Sequence, residues 1–483
     1  MKEYDTIIIG SGLGGLSAGA LLSKKGQRIL VLEKHYIAGG YATNFKRKDY
    51  EFDVALHQIG AGSYGFKNIL KKAGVYDKLE FIKHKYLYES IYPDFTIKVE
   101  NGNWRKFRDD LITLFPEEKS GIKKWFFILR YTGMQIKLWD FTNKYKIFFP
   151  FVMIFAPILI PFLAFGGQIK IQDLLKYCTK NKKLQKAFME LLGYYGDDYN
   201  LSASTYLIPS YGFYFDGGYG VKGGGQAVSN AFIEVIKQNS GEVLINYEVE
   251  EIIIENDLAI GVKTKKGEFY AKNIICNASP FILYEKLLAN WSGSKNELEK
   301  LNKFEIGMSL SSAYIGINTL VENLNKNFEK SYIVNFNKDE SKENLFGFTI
   351  TTYEDNSGIP IGKSVITVVF FDKYETRENL SKEEYKAKKL EKIEELTYKL
   401  ENIFPEIRKH IEVFELGTPK TMERYTSNKY GAIYGFSQKA SKLGNYGNET
   451  SIKNLFLSSA WCFGGGFEGV IRAGNEVVKN IKK

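Results

Sequence analysis

Between Tyr4 and Gly40 the chain reads YDTIIIGSGLGGLSAGALLSKKGQRILVLEKHYIAGG, and each part of that order has a physical job. Thr6-Ile7-Ile8-Ile9 is a short apolar run rich in β-branched side chains, the pattern of a buried parallel strand. Gly10, Gly12 and Gly15 follow as GxGxxG. The first allows a tight turn, the second a close backbone approach to a pyrophosphate, and the third close packing of the next helix on the strand. The spacing predicts that helix from about Gly14 to Lys25, with its positive end toward the phosphates. A second strand, Arg28 to Leu32, ends in Glu33, near the spacing at which an acid grips a ribose 2′-hydroxyl. Strand, glycines, helix, strand and acid in register mark a dinucleotide site. Alone they leave NAD and FAD open.

At 483 residues the chain exceeds one simple core and implies two or three domains. Hydrophobic residues at 44% and charged residues at 25% are those of an ordinary folded protein, whereas 35 Phe and 32 Tyr raise the aromatic share to 15%. A net charge of +10 suits an anionic membrane surface or nucleic acid. No nucleic-acid module is visible and the basic residues are scattered, so the membrane reading leads. Cys178, Cys276 and Cys462 form no CxxC, which argues against a disulfide framework or a zinc site and fits a reducing cytosol. His35, His57, His84 and His410 show no metal-ligand spacing, so no metal is expected. No signal peptide precedes the first strand, and the expected location is the cytoplasm, peripheral on the inner face of the membrane.

After Glu33 come HYIAGGYATNF and YEFDVALHQ, with Gly39-Gly40 marking a second close backbone approach. Glu33-Lys34-His35, Gly39-Gly40, Phe45, Phe52-Asp53 and Leu56-His57 together resemble the phytoene desaturase, carotenoid isomerase and retinol saturase group of flavoproteins, within the flavin amine-oxidase superfamily. The resemblance implies that the first site binds FAD. It also implies an α/β architecture of the p-hydroxybenzoate hydroxylase and amine-oxidase type, in which a Rossmann-like FAD-binding domain is interleaved with a mixed α+β substrate domain. On that pattern the FAD-binding domain takes residues 1–79, 206–280 and 426–483. The substrate domain takes 80–205, with any membrane contact, and 281–425. Where the wider superfamily usually has Arg after the Gly-Gly doublet, this chain has Tyr41, a departure that favours the polyene-acting branch.

The substrate-domain stretches lose the βαβ rhythm. Leu87 to Val99 reads as strand-rich. From Gly121 to Lys146 aromatic and basic residues interleave, and Ile147 to Phe165 is a run of 19 residues with no charge, broken by Pro150, Pro157 and Pro161. That length only just qualifies as a membrane span, and three prolines would interrupt it. A monotopic contact lying in the membrane plane suits the aromatic and basic flanks better; a buried wall of a substrate tunnel is the alternative, and the two can coexist. Gly223-Gly224-Gly225 precedes an amphipathic helix, and here direct cofactor contact and a plain helix start remain equally open. Short strands follow at Val243 to Ile245, Val249 to Ile254, Leu258 to Thr264 and Phe269 to Cys276. Leu380 to Asn402 is a solvated, charged helix. No second GxGxxG follows a strand, so no separate NAD(P)H domain is visible. The C-terminal piece has strand Leu455 to Leu457, then Gly464-Gly465-Gly466, then a helix from Gly469 to Ile481.

The resemblance implies FAD contacts at Gly10, Gly12, Gly14, Gly15, Glu33, Lys34, Gly39, Gly40, Tyr41, Val249 (through its backbone, at the adenine end), Gly465, Gly466 and Val470. The C-terminal helix would close the flavin end. Ser458-Ser459-Ala460 stands where many relatives have a glycine-containing turn, which puts the ribityl contact there in doubt. The implied chemistry is hydride exchange with C=C or C–C bonds of a long hydrophobic polyene or isoprenoid-like lipid, as desaturase, saturase or cis–trans isomerase. Glu468 and His57 are the catalytic candidates. Arg472 is expected to pair with a phosphate or a carboxylate, and Cys462 has no base partner. The electron donor or acceptor is not identified. Two other readings stay open on the same fold: a flavin amine or porphyrinogen oxidase, and a non-enzymatic prenyl- or lipid-binding protein resembling the GDP-dissociation inhibitors.

Overall fold

Ile7 and Ile8 are fully buried, as are Ile29, Leu30 and Val31, because both strands lie inside a sheet covered on both faces. The computed structural model describes residues 3–60, 66–196, 198–326, 333–336, 348–353, 358–440 and 446–481. In it, Glu3–Ile9 lies between Gly267–Cys276 and Ile29–Glu33 and is parallel to both; Glu242–Ile245 extends the sheet in parallel beyond Ile29–Glu33. On the other side, Val249–Glu255, Leu258–Thr264 and Gly267–Cys276 form an antiparallel meander. The last three residues of that meander pair in parallel with Leu455–Leu457. Three segments far apart in the chain therefore meet in one sheet, with their carboxyl ends on the same edge.

The first helix is Leu13–Ser23, shorter than the spacing predicted at its C-terminal end because Gly26 closes the turn with a positive φ. All eleven of its residues are buried, between the sheet and the helices Gly224–Gln238 and Gly466–Asn480. A helix covered all round needs no amphipathic stripe, which is why its sequence shows none. Close packing explains its small residues: a Cβ on Gly474 would sit 2.6 Å from Gly14 O, and Ser17 Oγ donates to Ile471 O at 3.0 Å.

A second sheet runs in the order Ile411–Gly417, Leu310–Ile317, Ser364–Phe371, Phe348–Tyr353, Ile333–Phe336, Tyr86–Ile91, Thr96–Glu100. The strand-rich stretch expected near Leu87 to Val99 is its far edge. A helical layer built on Lys119–Lys144 packs beside it, with Trp125 stacked on Phe188 at 4.9 Å between ring centroids.

The uncharged run from Ile147 to Phe165 is three short helices, Phe149–Ile154, Ala156–Leu159 and Pro161–Ala164, each with proline in its first turn. Proline is tolerated there because the first-turn N–H groups have no helical partner. The start of the third is tied back by Gln135, whose Oε1 accepts from the N–H groups of Phe162 at 2.9 Å and Leu163 at 3.3 Å. Val152, Ala156 and Ile160 alone in this run are buried hydrophobics in a core cluster, and that cluster is small and separate. Among the described residues, no helix is long and apolar enough to cross a membrane.

Candidate functional site

At the carboxyl edge of the first sheet the chain turns at Gly10, and Ser11 becomes the tie that organises the loops. Its N–H and hydroxyl both donate to Glu33 Oε2, at 2.8 and 2.6 Å, and the same hydroxyl accepts the N–H of Gly39 at 3.1 Å. Glu33 Oε1 accepts the N–H of His35 at 2.8 Å. A carboxylate has about four lone-pair sites, so Glu33 is fixed in place with one acceptor direction unspent, and it lines a cavity of ≈ 980 Å³.

That cavity gathers the residues the sequence singled out. Gly10, Gly12, Gly14, Glu33, Lys34, Gly39, Gly40, Tyr41 and Val249 line one end, and Gly465, Gly466, Val470, Glu468 and His57 line it further along. Gly15 sits behind the turn, where a Cβ would be 2.7 Å from Gly10 O, so its smallness serves helix–strand packing. Gly12 is close-packed in a way the motif did not foretell, because a Cβ there would overlap Asn277 Oδ1. Asn277 follows the sheet strand ending at Cys276; its N–H donates to Ile9 O at 2.8 Å and its side-chain amide to Ser458 O. A polar residue directly after a parallel strand lies at the crevice where open α/β sheets bind ligands, and that signal could have found it.

The serines after Leu455–Leu457 divide the work. Ser458 is fully buried, donates through Oγ to Gly14 O at 3.0 Å and locks strand to helix, while Ser459 and Ala460 line the cavity. Gly223-Gly224-Gly225, by contrast, stand off the cavity wall. A Cβ on Gly224 would overlap Asp53 Oδ2, and that carboxylate accepts the N–H of Gly225 at the start of Gly224–Gln238 while its other oxygen takes those of Ala55 and Leu56. The helix start is therefore occupied from within, which decides between the two readings in favour of structure.

The far half of the cavity is aromatic. Tyr194, Tyr195, Tyr211, Phe213 and Tyr434 line it together with Leu310 and Val369 to Phe371 from the second sheet. Tyr434 packs so closely on Gly465 that a Cβ there would collide with it. His57 Nδ1 is 3.3 Å from Tyr194 Oη, and burial pushes the imidazole down to about 4, so it is neutral at pH 7. Glu468 Oε1 accepts the N–H of Gly60 at 2.8 Å; burial raises its carboxyl above the usual range against the opposing pull of Arg472. Nothing local in the sequence marked Tyr194, Tyr195 or Tyr434. Cys462 is buried, and that burial pushes its thiol up to about 11, the state of an inert core residue.

The cavity fits the expected FAD on observations of its own wall. Gly464 and Gly466 have φ of +115° and +78°, with open space where a Cβ would lie. Tyr41 Oη is buried without a hydrogen-bond partner among the described residues, and burial pushes the phenol up to about 12, with Thr426 and Asn428 acting weakly the other way. Together with the unspent acceptor of Glu33, these are groups waiting for a ligand. No cluster of metal-ligating side chains occurs among the described residues.

Comparison with known proteins agrees with this geometry. Residues 13–482 match the model of the flavin containing amine oxidoreductase family. The chloroplastic prolycopene isomerase of Daucus carota is 28% identical over 494 residues, covering 97% of this chain and 78% of that protein. The all-trans-retinol 13,14-reductase of Danio rerio is 27% identical over 518 residues, covering 97% of this chain and 84% of that protein. The crystal structure of an oxidoreductase from Methanosarcina mazei shares the fold, with a TM-score of 0.69 at 17% identity, covering 99% of this chain and 100% of that one.

Proposed function

The chain belongs to the flavin containing amine oxidoreductase family, and from that premise we propose that it exchanges hydrogen between FAD and the C=C or C–C bonds of a long hydrophobic polyene or isoprenoid-like lipid, as desaturase, saturase or cis–trans isomerase. It is an FAD-dependent oxidoreductase. The observation that carries the substrate class is the single cavity that leads from the glycine turns into an aromatic chamber walled by the second sheet and by Tyr194, Tyr195 and Tyr434. The two relatives are named for a prolycopene isomerase and a retinol reductase, which points the same way.

Bound flavin supplies hydride exchange. The protein's own share is to hold it and to shape the space beside it. In this reading Glu33 takes a ribose hydroxyl, the backbone at Gly10, Gly12, Gly14, Gly39 and Gly40 approaches the pyrophosphate, and Lys34, Tyr41 and Val249 complete that end. Gly465, Gly466 and Val470 meet the flavin end, where the positive N-terminus of Gly466–Asn480 favours negative charge. Neutral His57 holds Tyr194 against the substrate space. Glu468, whose raised pKa keeps its proton to higher pH than an ordinary carboxyl, is the proton source beside the Gly464 to Gly466 turn.

The same protein touches a membrane, monotopically, through residues 121–165. Thirteen of the twenty-three exposed large apolar side chains among the described residues fall between Phe127 and Phe165, with Ile147 at 84% and Ile154 at 73% exposure. Clustering on this scale marks an interaction surface. Residues 121–165 hold six cations and one carboxylate, half of the chain's net charge of +10, which suits anionic headgroups.

Anaerobic incubation of the oxidised and the reduced holoprotein with carotenoids, retinoids and unsaturated fatty acids tests the reaction. Product mass separates loss of two hydrogens, gain of two and isomerisation. If no polyene changes in either redox state, the substrate class is wrong.

A further inference from the structure

Where the cavity passes between the helices Lys119–Lys144 and Gly466–Asn480, its apolar lining is interrupted by charge. Arg472 lines it beside Ile136 and Lys137, and Glu468, one turn earlier on the same face as Arg472, lines it too. The guanidinium has five donors, yet it makes no hydrogen bond and no ion pair within 4.0 Å to any described residue. Lys137 likewise makes none. Of the phosphate or carboxylate that the sequence expects as the partner of Arg472, no carboxylate of a described residue is in contact with it. Glu468 and Asp140 both feel its charge, but neither closes on it. Glu468 spends one oxygen on the Gly60 N–H, and Asp140 Oδ2 is buried out of reach of the cavity with no partner.

A half-buried guanidinium that lines a mostly apolar cavity, with none of its donors engaged by a described residue, offers a forked donor set to an anionic ligand group. We propose that Arg472, with Lys137 at the rim, binds the carboxylate of an unsaturated fatty or isoprenoid acid, whose chain then runs along the aromatic wall toward the Gly464 to Gly466 turn. This rests on the reading of the cavity as a flavin-centred site for a long unsaturated lipid, and narrows it to acids over hydrocarbons. The planar fork of arginine matches a carboxylate through two parallel N–H···O bonds, which neither an ester nor an alcohol can accept with full charge. Burial raises the carboxyls of Glu468 and Asp140 above their usual range against the opposing pull of Arg472, and Asp216 lines the same cavity within electrostatic reach of Lys137.

The test titrates flavin-loaded protein with linoleic acid, methyl linoleate, linoleyl alcohol and β-carotene, reading flavin absorbance and tryptophan fluorescence. The acid should bind at least tenfold tighter than its ester and alcohol. That preference should vanish in Arg472→Met and return in part in Arg472→Lys. Equal binding of acid, ester and alcohol by the unaltered protein overturns the proposal even if Arg472→Met does not fold, as does a preference that survives in a folded Arg472→Met. If ester and β-carotene bind and react without any preference for the acid, this inference alone falls. If none of the four binds to protein that still holds flavin, the proposed function falls with it.

Discussion

Two triple-glycine turns open two helices in this chain, and they do opposite things. Gly223-Gly224-Gly225 receives an internal anion: Asp53 fills the space over Gly224 and takes the helical N–H of Gly225 for itself. Gly464-Gly465-Gly466 keeps its helix start open on the cavity, with nothing over Gly464 or Gly466. The positive end of a helix is an anion site in both cases. What separates the sealed turn from the open one is whether the fold supplies the anion.

Substitution at the sealed turn should give the largest effect and should act on stability. Asp53→Ala leaves three backbone N–H groups without their carboxylate and should cost about 3 kcal/mol or more, read by chemical denaturation with and without flavin. An unchanged midpoint would break the contrast. At the open turn, Gly466→Val should strain the positive φ by about 1–2 kcal/mol and intrude on the flavin end. FAD affinity should fall about tenfold or more, close to 1.4 kcal/mol, while the apoprotein loses only the strain. Equal loss of fold in both variants would show that the second turn is structural as well.

His57 sharpens the comparison through pH. Its folded pKa of about 4 lies below the ordinary histidine value near 6.5. The neutral ring thus contributes stability that is present above pH 6.5 and lost as pH falls through about 4. His57→Gln should flatten that acid limb in a urea series from pH 7 to pH 4; a slope like that of the unaltered protein would place the ring in solvent. The smallest effect on the fold is expected on the outer surface. Phe151→Glu with Ile154→Glu should change stability by no more than about 0.5 kcal/mol yet abolish sedimentation with anionic vesicles, since each side chain brings about 1–3 kcal/mol of apolar transfer. Undiminished vesicle binding would move the membrane contact elsewhere.

Much of the cofactor end was legible before any fold was known. GxGxxG, Glu33, Gly39-Gly40 and the distant Gly464 to Gly466 stand out in the sequence, and they line the cavity or pack behind it, because close backbone approach and positive φ both favour glycine. That demand is local and leaves a local trace. Even so, the reason for each glycine was only partly readable. Gly12 is small because Asn277 lies against it, and Asn277 arrives from a strand completed more than two hundred and fifty residues later. The three prolines of residues 147–165 argued against a span, and they start three short helices.

The sequence by itself determined a βαβ nucleotide site, its acid and a broken apolar segment with basic flanks, since periodicity and glycine spacing act over a few turns of chain; the flavin family came from resemblance at residues such as Glu33, Gly39-Gly40 and Phe52-Asp53. Only the tertiary structure decided which triple glycine faces the cavity, set Tyr194, Tyr195 and Tyr434 around one chamber, and left Arg472 without a hydrogen-bond or ion-pair partner among the described residues. Those outcomes depend on side chains converging from segments hundreds of residues apart, and no short-range pattern encodes where they meet.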